Sequence, residues 1–292
     1  MAVSRRKLAR LYIGLVPLTI TLQLMGAATR ATGSGLSCPD WPLCMDQVVP
    51  ELSHGIFYEF GHRVLAGLVA IGLFVALLKG RKSEECREAL GKTPIVAAVL
   101  LTAQILMGGV TVLVRNAGWT VMLHLLLANL FCAVLLVATL KLTGQERVAE
   151  KRSAALRLGY LGAATILAQL VIGGLLAGYH GGLACLAWPE CMPGMWFPTW
   201  QGPVGLHVIH RLVAYLAVGV ALFAGIRWRS IPESRTLGNL VIWTALVQLG
   251  LGIANVLLML PPWVTTLHTG GASALVLIYT AAIYTLAPPA KD

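Results

Sequence analysis

The chain of 292 residues predicts an all-α membrane protein, with eight transmembrane helices forming two tandem, pseudo-two-fold-related four-helix bundles. Three observations carry this. Hydrophobic residues make up 57% of the chain against 12% charged, and the mean hydropathy is +0.78, far outside soluble composition. Eight apolar runs each reach the roughly 20 residues that a bilayer-crossing helix needs. Motifs of the first half also return in the second at a nearly constant spacing.

The eight runs lie at roughly residues 9–29, 55–78, 94–114, 119–141, 156–178, 204–226, 237–259 and 264–287. The first follows Arg5-Arg6-Lys7, the charge order of a cleavable signal peptide. It is long enough to span, however, and it matches a later internal segment, so we read it as a membrane helix. The runs are apolar nearly all round, as helices in lipid are, and each satisfies its own backbone groups. Gly108-Gly109, Gly173-Gly174 and Gly270-Gly271 read as close-packing positions between helices.

The net charge of +10 raises the question of nucleic acid, but the basic residues form short clusters between apolar runs. Membrane topology accounts for them, and no nucleic-acid partner is expected. With a cytoplasmic N-terminus, the inner segments hold Arg5, Arg6, Lys7 and Arg10, then the clusters around 79–92, 141–157 and 227–235, and Lys291. These are 18 of the 22 basic residues. The positive-inside rule thus predicts both termini in the cytoplasm and the loops 30–54 and 179–203 outside.

The repeat defines an N-terminal half, 1–150, and a C-terminal half, 151–292. Cys38-Pro-Asp-Trp-Pro-Leu-Cys44 and Cys185-Leu-Ala-Trp-Pro-Glu-Cys191 share the pattern C-x-x-W-P-x-C, 147 residues apart. His62-Arg63 meets His210-Arg211 at an offset of 148, and Gln104, Gly108, Trp119 and His124 meet Gln248, Gly252, Trp263 and His268 at 144. Four spans make one unit, so the copies share one orientation about an axis along the membrane normal.

His62, His124, His210 and His268 fall in the even-numbered spans, all running inward, about 6 to 12 Å below the outer surface. A lone intramembrane histidine often serves as an interhelical hydrogen-bonder; four at one depth suggest ligands. Paired on facing helices, they suit the two axial positions of a haem iron. Two histidines per half suit a structural zinc poorly. Arg63 and Arg211, each next to a ligand candidate, are candidates for haem propionates, since guanidinium pairs carboxylates through two parallel hydrogen bonds. Arg30 and Arg115 can instead snorkel to the outer headgroups.

Cys38 with Cys44 and Cys185 with Cys191 lie in the outer loops, where oxidising conditions favour a disulfide in each. Metal binding and a redox-active disulfide stay open as alternatives. Cys86 and Cys132 read as inert, and His54, His180 and His207 stay unassigned. The repeat breaks at Glu59, three residues before His62, where the second half has His207 before His210. Glu59 faces the same way as His62, either as a functional acid or as an i, i+4 salt-bridge partner of Arg63. One asymmetric acid fits one pocket that reacts beside another that conducts electrons.

Taken together, Glu59-Phe60-Gly61-His62-Arg63, the two C-x-x-W-P-x-C loops, His124, His210-Arg211 and His268 make the chain resemble the bacterial haem A synthases, related to the mitochondrial haem A synthase assembly factor. The resemblance covers about residues 11–286. It implies a cell-membrane (inner-membrane) oxidoreductase that converts the C8 methyl of haem O to the formyl of haem A for terminal oxidase biogenesis, with water as oxygen source. It implies that His210 and His268 ligate a haem b cofactor, that His62 and His124 hold the substrate haem, and that Glu59 is catalytic. Haem O synthase and an unidentified electron acceptor are the implied partners in the lipid bilayer, and a homo-oligomer is compatible with it. The alternatives are a non-catalytic bis-histidine membrane cytochrome b and a haem carrier or chaperone. A cytochrome relay usually stacks haems toward opposite faces, whereas here all four histidines lie near one.

Overall fold

A computed structural model describes residues 4–147 and 153–288. Lys151, Arg152 and Lys291, three of the basic residues on which the topology draws, lie outside the described residues, as does the 150/151 division. Among the described residues there are nine α-helices: α1 (Arg5–Ala31), α2 (His54–Gly80), α3 (Glu84–Leu90), α4 (Thr93–Leu113), α5 (Gly118–Thr143), α6 (Ser153–Gly178), α7 (Gly202–Arg229), α8 (Arg235–Leu257) and α9 (Pro262–Leu286). All except α3 are long and apolar enough to cross a membrane, and their ends fall within four residues of those read from the sequence.

Helix α3 is the element the sequence does not announce. Ser83 caps it by accepting the Cys86 backbone N–H, 3.4 Å, and Glu84 and Glu85 occupy its first turn, where the helix dipole favours negative charge. Cys86 and Leu90 are buried on its inner side. Lys141 of α5 ties this end together, donating to Leu90 O, 3.1 Å, and Thr93 Oγ1, 2.9 Å. Arg5 at the start of α1 donates to Leu142 O at 2.9 Å, which satisfies a carbonyl that the end of α5 leaves free.

Helices α1, α2, α4 and α5 form one group and α6 to α9 another, in contact through α1, α5, α6 and α9. Each group has its own apolar cluster. One is built around Tyr12, Leu73, Phe131 and Leu135, the other around Ala221, Trp228, Val241 and Tyr279. In lipid these contacts stabilise by close van der Waals packing, which small residues permit. Gly178 of α6 and Gly118 of α5 illustrate this at the junction: a Cβ on Gly178 would stand 2.4 Å from the Gly118 Cα. Arg30 adds a polar tie there, donating to Ala177 O at 2.5 Å.

Both C-x-x-W-P-x-C loops emerge at one end of the bundle, between α1 and α2 and between α6 and α7. Helices α2, α5, α7 and α9 all begin at this loop end. Their histidines follow six to eight residues later, roughly 9 to 12 Å along the axis.

Candidate functional site

Each group of four helices carries its histidines on two helices that do not pack on each other, α2 and α5 in one and α7 and α9 in the other. In the first group the two rings meet across the middle of the bundle. The His62 and His124 ring centroids lie 6.5 Å apart. A metal–imidazole bond of about 2 Å on either side of one iron gives a centroid separation of roughly 6 Å, so the spacing suits two axial ligands.

Every ring rests on a glycine of an adjacent helix. A Cβ on Gly26 of α1 would stand 2.8 Å from His62 Cε1, and one on Gly108 of α4 would stand 3.3 Å from His124 Cε1. In the second group, a Cβ on Gly173 of α6 would stand 3.0 Å from His210 Cε1, and one on Gly252 of α8 would stand 3.2 Å from His268 Cε1. Glycine at these four places makes room for an imidazole that any side chain would press upon. The reading of Gly108-Gly109 and Gly173-Gly174 as packing positions holds, but the surface that they accommodate includes the histidines.

Glutamines accompany the glycines, three or four residues earlier in each helix. Gln169 donates to His210 O, 3.1 Å, and Gln248 to His268 O, 2.9 Å, which fixes the backbone of the histidine-bearing helices. In the first group Gln23 donates to Ala128 O, 2.9 Å, and Gln104 Nε2 lies 3.2 Å from His124 Nε2. The Oε1 atoms of all four glutamines and Nδ1 of His124, His210 and His268 are buried without a hydrogen-bond partner in the protein. Such a concentration of polar atoms without a protein partner is costly in an apolar interior, which singles this region out as a candidate site. Among the described residues no three or more His, Cys, Asp or Glu side chains gather into one metal-ligand cluster. The site offers paired imidazoles flanked by glycine and glutamine, a donor set that fits a bis-histidine haem. The sequence carries a signal for it: Gln104/Gly108, Gln169/Gly173 and Gln248/Gly252 share one spacing, and Gln23/Gly26 is one residue shorter.

Above the first histidine pair stands the first loop, closed by a Cys38–Cys44 disulfide. Glu59, only 4% exposed, accepts the Cys38 backbone N–H on Oε2, 2.9 Å, and pairs through Oε1 with Arg63 Nη2, 2.7 Å. Arg63 donates in turn to Cys38 O, 3.0 Å, to Asp40 O, 2.9 Å, and to Leu43 O. The expected i, i+4 ion pair is present, and its arginine reaches up into the loop. Asp40 completes the turn by accepting the N–H groups of Met45, 2.8 Å, and Asp46, 2.9 Å. Those bonds, that from Asp46 foremost, together with the Arg63 charge, hold the Asp40 carboxyl below the usual carboxylate range.

The second loop repeats this clasp with one exchange. Cys185 and Cys191 form its disulfide. Arg211 donates to Glu190 O, 2.9 Å, and Cys185 O, 3.3 Å, and His207 Nδ1 accepts the Cys185 N–H at 3.3 Å. Glu59 and His207 therefore perform one structural task, receiving the N–H of the loop's first cysteine. Only Glu59 adds a charge.

Comparison with known proteins agrees with this layout. The relatives include proteins named heme A synthase from Shewanella oneidensis, 28% identical over 92% of this chain and 93% of that protein; Symbiobacterium thermophilum, 31% identical over 85% of each; and Mesorhizobium japonicum, 28% identical over 90% of this chain and 85% of that protein. The model of the COX15-CtaA family, described as cytochrome oxidase assembly protein, matches residues 9–56 and 51–280, which takes in both loops and all four histidines. The chain belongs to the COX15-CtaA family of cytochrome oxidase assembly proteins.

Proposed function

We infer that the protein is a haem A synthase, oxidising the C8 methyl of haem O to the formyl of haem A. The observation that carries this reading is the doubled imidazole site with an acid beside only one copy. Conversion of a methyl to a formyl takes up one water and releases four electrons and four protons. It therefore needs an electron sink and a proton acceptor near the reacting carbon.

The N-terminal half is assigned to the substrate and the C-terminal half to a resident haem b. His62 and His124 hold the iron of haem O, and His210 and His268 hold haem b, which when bound supplies the electron sink. Glu59 is the proton acceptor. Its two hydrogen bonds use two of the roughly four lone-pair sites of a carboxylate. Arg63 and Arg211 use Nη1 and Nη2 on the loops, which leaves Nε–H to meet a propionate. The loop end faces away from the cytoplasm in this reading, because the basic clusters collect at the other end. Haem O synthase and a separate electron acceptor are the remaining partners.

The test is expression in cells whose membranes make haem O, with the bound and total haems extracted and weighed. Haem A should appear only with this chain. His62→Ala should abolish it while leaving one haem b per protein, and His268→Ala should remove that haem. Haem O unchanged beside a fully loaded protein would instead favour the cytochrome or carrier reading.

A further inference from the structure

The two groups of helices differ in how they close. Around the second histidine pair, α6, α7, α8 and α9 form a complete ring. Its α7–α8 seam is sealed backbone to backbone: a Cβ on Gly225 would stand 2.8 Å from Gly238 O, and one on Gly238 would stand 2.6 Å from Gly225 O. Around the first pair, α1, α2, α4 and α5 pack as neighbours except along α2–α4, which barely touch. The repeat offsets put Leu77 and Pro94 where the second group has Gly225 and Gly238. A branched side chain and a proline ring replace the two glycines that allow close approach, and α3 is inserted where a short turn joins α7 to α8.

At the loop end of this seam stands Trp41. Its indole lies on Gly109 of α4, where a Cβ would be 3.0 Å from Cδ2 and 3.1 Å from Cε2. The loop that carries Trp41 is itself clasped to α2 through Arg63 and Glu59, so the indole bridges α2 and α4. Gly109 directly follows Gly108, on which His124 rests. In the other half Trp188 stays with α7, donating from Nε1 to Tyr215 Oη at 3.2 Å. By the offsets, Gly67 stands at the place of Tyr215 and Ile253 at that of Gly109. Trp41 lacks the α2 partner that its counterpart finds on α7, and is seated instead on the helix across the gap.

We propose that the α2–α4 seam is a lateral door between the lipid and the His62–His124 pair, and that Trp41 latches its loop end. Its cargo is a porphyrin with an isoprenoid tail dissolved in the bilayer, an identity that rests on the proposed function. A substrate site must admit and release its haem, whereas a cofactor site gains from being sealed. One histidine pair with an open seam and one with a closed seam answer these two needs.

The experiment follows haem O moving from loaded vesicles into purified protein already carrying its resident haem, reconstituted in vesicles of phospholipid. Uptake at the first pair is the absorbance change lost in His62→Ala; release is followed with a soluble haem scavenger. Trp41→Ala should speed both uptake and release about tenfold, the effect of losing one aromatic contact from the barrier. Trp41→Phe should fall between it and the parent, and Trp188→Ala should match the parent. Retention of resident haem reports that each variant is folded. Parent rates in Trp41→Ala with normal His62-dependent uptake would overturn the latch and leave the proposed function standing. No His62-dependent uptake in the parent would overturn both.

Discussion

Gly173→Ala adds a single methyl group, and its effect can be worked from the site. The new Cβ would lie 3.0 Å from His210 Cε1 and 3.6 Å from Nδ1, while carbon atoms rest at about 3.5 to 4.0 Å. The ring must therefore give by about 0.5 Å, a large displacement for an imidazole proposed to bind a metal at about 2 Å. Overpacking of this kind costs about 1 to 3 kcal/mol. If the cost falls on the ligated ring, resident haem dissociates about 5- to 150-fold faster. Gly219→Ala is the control, because it lies on α7 with His210 and its Cβ meets nothing within 4 Å. The assay is haem transfer to an excess of soluble apo-haem-protein, followed by absorbance. Equal rates in Gly173→Ala and the parent, or an equal loss in Gly219→Ala, would refute the claim that these glycines exist to seat the histidines.

Two further outcomes follow from the first loop. Glu59→Gln keeps a carbonyl to accept the Cys38 N–H, and Glu59→His copies the second half; both should keep the loop and resident haem while haem A formation per haem b falls about 10²- to 10⁴-fold, and parent-level conversion by mass spectrometry would reduce Glu59 to a brace for Arg63. The folded-state pKa of Asp40 is depressed, so its contribution is present above the unfolded value and is lost as pH falls through the folded one. Hydrogen exchange at Met45 and Asp46 should accordingly rise, relative to neighbouring loop amides, on acidification below the usual carboxylate range, and Asp40→Asn should flatten that dependence.

The membrane helices were legible because lipid imposes a long apolar run on each, whatever it packs against. Helix α3 was not: seven residues are too few to show a period, and its burial depends on α1 and α5, which are distant in sequence. The histidines stood out by repetition at one depth. Arg63 and Arg211 were legible as partners of something beside those histidines, but a guanidinium next to a ligand reads the same whether it reaches upward to loop carbonyls or inward to a bound carboxylate. The roles of Gln169 and Gly173 were hidden for a similar reason. Spacing shows that two residues share a helix face, and only the neighbouring helix decides what that face meets.

Where the repeat departs from itself is more informative than where it holds. The clasp of arginine on loop carbonyls, the disulfide and the glycine-seated histidines occur twice almost unchanged; on the proposed function they serve what both halves share, the holding of a flat iron-bearing ring. Five exchanges distinguish the two pockets and their seams: Glu59 for His207, Gly67 for Tyr215, Leu77 for Gly225, Pro94 for Gly238 and Gly109 for Ile253. The first puts a charge beside one ring; the other four concern the α2–α4 seam or the tryptophan above it. All five lie on α2 and α4, whereas α1 and α5 make the contacts with the second group. A chain under pressure only to bind two identical haems has no use for such a one-sided pattern. A chain that must exchange one haem and keep the other needs its differences there, on the side of the first bundle that faces away from the second.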